Sequence, residues 1–371
     1  MLVNAESPVI IADRCARTPA GVKCLVELAE LLQAPVINQF SRMNFPTRHP
    51  LCQNERSRAV IADADVILGL EVWDFWGTVH SFRDQLHRSA TPIAKAGAKM
   101  ITISTTDLNT RANYQDFQRL PDLDLSMAAD SEATLPALTE ACRRLITPDL
   151  KRKYEERGKK LGEARLAAQE RMHTEASYAW DASPISAARM AAEVWAQVKD
   201  KDWSLVSVNQ WAQRLWKFDK HYQHIGGAGG AGVGYGAPAA VGAAIANKKF
   251  GRLSVNLQPD GDMMYGPGVL WTAAHHKAPL LTVMFNNRAY HQEMMHLQKM
   301  ANRHQRDITT AEVGTSIKDP NIDYAMLARS MGVHGEGPIS DPKDLAPALA
   351  RALEVVERGE PALVDVVSQP R

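Results

Sequence analysis

The sequence is poor in most features that would mark a specialised class. Its 371 residues hold four cysteines, Cys15, Cys24, Cys52 and Cys142, and no C-x-x-C pair. That excludes a disulfide scaffold and the usual structural zinc frame. Neither sign of charge is in excess: 43 Lys+Arg against 42 Asp+Glu leave +1, so no bulk field draws the chain to nucleic acid. No window reaches roughly 18 uninterrupted apolar residues, which excludes a membrane-spanning helix. The first residues lack a basic n-region and a cleavage site, so the reading is a cytoplasmic protein in a reducing compartment. Repeats and low-complexity tracts are missing as well. With 45% hydrophobic and 23% charged residues, the chain has a globular composition and, at about 150 residues per domain, room for two domains.

Short apolar runs alternate with helical patterns throughout. In residues 1–147, Val9–Ala12, Pro35–Asn38, Val66–Leu70 and Met100–Ser104 read as buried strands, and Ala20–Leu32 and Glu132–Leu145, the latter with Ser131 as its cap, read as helices. Residues 148–180 open on a dense mixed-charge run, Lys151 to Lys160, which predicts a solvated helix joining two domains. Residues 181–371 begin with a helix-start signature at Ser183-Pro184 and continue as strands and helices. Their strands are Trp203–Val208, Leu253–Leu257, Leu280–Phe285 and Ala362–Val367. The fold class is α/β: two doubly wound domains with mostly parallel sheets.

Chemistry concentrates in the second domain. Asp260-Gly261 follows one strand and Asn287 the next, with a single helix between, so both side chains lie at the carboxyl ends of neighbouring parallel strands, where such sheets bind ligands. One carboxylate, one amide oxygen and a nearby carbonyl form a sparse oxygen set suited to Mg²⁺ completed by substrate phosphates. Gly261 lets main-chain amides approach a phosphate closely. The implied ligand is a diphosphate held through magnesium.

The segment Asp260-Gly261-Asp262…Asn286-Asn287 resembles the binding motif of thiamine-diphosphate-dependent enzymes, in the branch of acetolactate synthases and benzoylformate decarboxylases. The Gly-rich stretch from Gly226 to Gly236 is similar to the family's glycine turn, and residues 8–147 to its central domain. The resemblance implies Asp260, Asn287 and the Ala289 carbonyl as Mg²⁺ ligands, and the amides of Gly261, Asp262 and Met263 as diphosphate donors. It implies a pocket at Ala231, Gly232 and Val233, with Val233 bending the cofactor and the Ala231 carbonyl accepting from its amine. Two positions depart from the family pattern. Pro259 replaces a glycine, which requires φ near −65°, and Asp262 stands where a small hydroxyl residue is frequent, so that it either lies near the diphosphate or turns away to cap the following helix.

His221, His224 and His291 flank these segments and are candidates to orient a 2-oxo acid or shuttle a proton. The resemblance further implies a decarboxylase or carboligase acting on 2-oxo acids, a lyase or transferase. It also implies a homo- or hetero-oligomer completed by a chain carrying the family's N-terminal pyrimidine-binding domain, for which this sequence has no room. Alternatives are a catalytically silent cofactor-binding protein and a flavin- or nicotinamide-binding oxidoreductase. The first domain has space for FAD, as in acetolactate synthases, but no residue set demands it. Gly232-x-Gly234-x-x-Ala237 lacks the preceding strand that a dinucleotide fingerprint needs.

Overall fold

Short runs that are apolar at every position, rather than at alternate ones, need cover on both faces of a sheet, and parallel sheets flanked by helices provide it. A computed structural model of the protein describes residues 1–84, 89–105, 121–207, 209–226 and 233–370. The chain divides into two units, Met1–Arg171 with Lys217–Gln223, and Met172–Trp216 with His224–Arg371. Among the described residues no helix is long and apolar enough to cross a membrane.

The first unit is built on β1 (Pro8–Ala12), β2 (Val36–Asn38), β3 (Val66–Leu70), β6 (Lys99–Ile103) and β7 (Leu125–Met127), with β4 (His80–Asp84) and β5 (Ser89–Pro92) forming a separate antiparallel pair. The sheet order is β2-β1-β3-β6-β7, parallel throughout. Every residue of β1 and β3 is buried. Helix Pro19–Leu32 starts as its sequence dictates, with Thr18 accepting the Gly21 amide and proline in the first turn. Helix Ser131–Leu145 is capped one residue earlier than expected, by Asp130 accepting the Ala133 amide. Asp130 also pairs with Arg17, while Ser131 is buried and gives its own amide to Glu71. That leaves Asp130 as the side chain in reach of the helix donors.

The mixed-charge run is helical, Pro148–Ala176, and parts of it are firmly engaged within the first unit. Tyr154 donates its hydroxyl to the Val3 carbonyl, and Arg165 donates to the Thr47 carbonyl. Arg157 donates to the carbonyls of Leu32, Gln33, Ala5 and Glu6 while its guanidinium lies over the Tyr154 ring.

The second unit has β8 (Trp203–Leu205), β9 (Leu253–Pro259), β10 (Leu280–Asn286), β11 (His334–Ile339) and β12 (Ala362–Val367) in the order β11-β12-β10-β9-β8, again all parallel. β8 ends earlier than the expected strand, and Val208 lies outside the described residues. The helix expected from Ser183 begins at Ala187, because Ser186 supplies the side-chain cap. Trp195, Trp203 and Trp216 pack edge-to-face and stacked at 5.2–5.6 Å, with the Trp216 indole N–H satisfied by the Ala191 carbonyl. β9, β10 and β12 are buried almost throughout. Asp260 follows the carboxyl end of β9, and Asn286 closes β10.

Candidate functional site

β9 terminates at Pro259, whose φ of −65° is the value a proline ring imposes, so the substitution for glycine brings no strain there. The chain then turns into the four-residue helix Asp260–Met263. Pro259 pairs with Phe285 of β10, which sets Asp260 beside the end of that strand. Asp260 is only 1% exposed. Its Oδ1 accepts the Gly261 amide at 2.9 Å and its Oδ2 the Arg288 amide at 2.6 Å. Burial raises its pKa from 3.8 to about 6, and the amides of Gly261, Arg288 and Ala289 offset part of the rise.

The Arg288 amide reaches Asp260 because the loop after β10 turns sharply, with Arg288 at φ +58°. Asn287, half-buried, accepts the Ala289 amide on its side-chain oxygen at 3.1 Å. The loop is pinned from outside: the Arg288 carbonyl accepts from Ile317 N, and Tyr290 N donates to the Thr315 carbonyl, both at 2.7 Å. Tyr290 in turn lies against Gly261, where a Cβ would come 2.6 Å from the ring. Only glycine allows that approach. Met263 points into the apolar cluster that includes Leu270, Met284 and Tyr324.

Asp262 does not cap the following helix as expected. It caps the helix upstream: its two oxygens accept the amides of Gly234 and Gly236 and the Gln258 side chain. Val233, just before this contact, is 61% exposed. Ala231 and Gly232 lie outside the described residues.

The histidines are dispersed. His224 is fully buried, bridged to Leu205 at the end of β8. His221 falls in the 217–223 segment that belongs to the first unit, its ring edge-on to Tyr222. His291 is partly exposed at the start of helix His291–Arg303, directly after the Asn287–Tyr290 loop. Of the three, His291 is the one next in sequence to the loop.

Two residues that sequence reasoning missed support the corner from behind. Asp365 of β12 is fully buried and accepts the Asn286 side-chain amide at 2.9 Å and the Tyr324 main-chain amide at 3.1 Å. Tyr324 donates its hydroxyl to the Asp260 carbonyl at 3.2 Å. Burial, together with Asp260 and Asp365, raises the Tyr324 pKa, which keeps the hydroxyl a donor. Burial likewise lifts Asp365 from 3.8 to about 6.

Among the described residues no three His, Cys, Asp or Glu side chains gather as a metal cluster. The donors available are oxygens: the Asp260 carboxylate, the Asn287 amide and main-chain carbonyls of the loop. A buried carboxylate whose ionisation is opposed by its surroundings gains from a cation, and hard oxygen donors fit Mg²⁺.

Comparison with known proteins places the chain in a family. Residues 1–138 match the family model described as the central domain of thiamine pyrophosphate enzymes, and residues 206–366 match that of the C-terminal TPP binding domain. The benzoylformate decarboxylase of Pseudomonas aeruginosa is 26% identical over 378 aligned positions, 99% of this chain and 62% of that protein. A probable acetolactate synthase large subunit of Methanocaldococcus jannaschii is 22% identical, covering 100% of this chain and 59% of its own. The solved 4-hydroxybenzoylformate decarboxylase of Rhodococcus jostii superposes with a TM-score of 0.65 at 21% identity, over 100% of this chain and 63% of that one. At that identity the likeness is one of fold. The chain thus spans about three-fifths of the length of these proteins.

Proposed function

The chain belongs to the thiamine pyrophosphate enzymes, and from that premise we propose that it holds the magnesium and diphosphate of thiamine diphosphate in an enzyme that decarboxylates or ligates 2-oxo acids. The observation that carries the reading is the Asp260 carboxylate, buried at the end of β9 and tied by 2.6 Å to the loop that bears Asn287. Asp260, the Asn287 side-chain oxygen and the Ala289 carbonyl would hold Mg²⁺. The amides of Asp262 and Met263 would hold the diphosphate, at the positive end of a helical turn, and the Gly261 amide would serve it only as a donor shared with Asp260 Oδ1, which it meets at 2.9 Å. Val233 and the Ala231 carbonyl would face the rest of the cofactor.

When bound, thiamine diphosphate supplies the nucleophilic carbon and the electron sink that 2-oxo acid decarboxylation requires. The chain's own part is to fix the site before anything binds. Asp260 is held by two amides and Asn287 by one, so little ordering remains to oppose binding. His291, following the metal loop, is the residue we assign to orient the substrate carboxylate or shuttle a proton. We also propose that a pyrimidine-binding domain, supplied by a companion chain, completes the pocket.

Thiamine diphosphate binding is to be measured by calorimetry with and without Mg²⁺, and carbon dioxide release from pyruvate and benzoylformate with and without the companion. Mg²⁺-dependent binding should vanish in Asp260→Ala, with the far-ultraviolet circular dichroism unchanged. Unaltered binding in that variant would refute the ligand assignment. Robust turnover by the purified chain alone would refute the need for a companion.

A further inference from the structure

A carboxylate next to a diphosphate site is an electrostatic liability unless it is engaged elsewhere, and Asp262 is fully engaged. Oδ1 accepts Gly234 N–H at 2.6 Å; Oδ2 accepts Gly236 N–H at 3.1 Å and Gln258 Nε2–H at 2.8 Å. Gln258 Oε1 accepts from Asn256 Nδ2 at 3.0 Å, so a polar string runs from β9 to the glycine turn. Asn256 and Gln258 are wholly buried and Asp262 is 7% exposed. Helix Gly236–Lys248 receives no side-chain cap from its own N-cap residue, Tyr235. Asp262, 26 residues further along, supplies the acceptor and places its charge at the positive end of that helix. Gly236 matches it: a Cβ there would stand 2.7 Å from Asp262 Oδ2 and 2.8 Å from Gln258 Oε1.

Resting on the function proposed above, we propose that Asp262 is a positioning residue for the cofactor. By clamping residues 234–236 it fixes where the exposed Val233 side chain stands, and so couples the diphosphate corner to the part of the site that holds the cofactor's rings. Only a carboxylate does this without conflict, because it accepts three N–H donors at once and offers none of its own; an amide would set its NH₂ against another donor, and serine has a single oxygen on a shorter side chain.

The test compares wild type with Asp262→Ala, Asp262→Asn and Gly236→Ala. Amide hydrogen exchange across residues 233–236 is followed in the cofactor-free protein, and thiamine diphosphate affinity is measured at saturating Mg²⁺. Exchange should quicken at least tenfold and cofactor affinity fall at least tenfold in both alanine variants, with Asp262→Asn between them and wild type. Mn²⁺ affinity, read by electron paramagnetic resonance without cofactor, should stay within threefold, since Asp260 and Asn287 are untouched. Cofactor affinity within twofold of wild type, or unchanged exchange at 233–236, would overturn the inference. If Asp262→Ala does not fold, Gly236→Ala decides by the same thresholds. Failure of the wild type itself to bind thiamine diphosphate would overturn the proposed function, a separate result.

Discussion

Asp365 shows how much a single buried carboxylate contributes to the behaviour of this site. It sits in the middle of an apolar strand, and burial lifts its pKa from 3.8 to about 6. A carboxyl raised in the folded state is penalised when ionised. Its contribution to stability is therefore greatest below pH 4 and is lost as pH rises through 6; a shift of two units amounts to about 3 kcal/mol at neutral pH. Urea unfolding at pH 5 and 7.5 should show the advantage of wild type over Asp365→Asn shrinking by roughly 1 kcal/mol at the higher pH. A difference independent of pH would mean that Asp365 does not titrate in this window. Asp260 and Asn287 are legible in the sequence because each follows a strand of a parallel pair, although the crossover between them holds two short helices, Asp260–Met263 and Val269–His275, rather than the single one expected. Asp365 and Tyr324 are not, because their role depends on partners 79 and 64 residues away. The one local signal was the lone charge inside Ala362–Val367.

At the level of elements, apolar runs and helical periodicity located most strands and helices, while their ends were settled by competition among neighbouring polar residues. Asp130 outcompetes Ser131 as a cap, and Ser186 outcompetes Ser183. Asp130→Ala should accordingly cost about 1 kcal/mol in chemical unfolding. Helix Pro148–Ala176 carries a more demanding interaction, since Arg157 satisfies the carbonyls at the end of helix Pro19–Leu32 and of the segment before β1. Its partial burial lowers the guanidinium pKa, but not enough to discharge it. Arg157→Met keeps the packing volume and removes the donors, so unfolding of the first unit should become easier by about 2–3 kcal/mol. Mn²⁺ binding at Asp260 should be unchanged. A loss of metal binding would show that the variant perturbs more than its own unit. Elements without an apolar signature escaped the sequence altogether: β11, His-Gly-Glu-Gly-Pro-Ile, is mostly exposed and is a strand only because β12 offers it a parallel edge.

For the molecule as a whole, strand-helix alternation correctly announced two parallel sheets, because a parallel neighbour requires a crossover and the crossover leaves its period in the sequence. What it did not announce was membership. His221 and His224, three residues apart, belong to different units, and no periodicity marks such a division. The same parallel pairing has a consequence for biosynthesis. β10 acquires its second neighbour only with β12, and Asn286 meets Asp365 only after 79 further residues have been made. A nascent chain that has delivered both Asp260 and Asn287 to the tunnel exit still lacks the strand that steadies them. On the proposed function, metal would thus be a late arrival, bound by a finished domain, and could not serve as a template around which the emerging polypeptide folds. Ribosome-stalled chains ending before residue 362 should accordingly bind Mn²⁺ at least tenfold more weakly than chains stalled on a C-terminal extension long enough to bring β12 out of the tunnel.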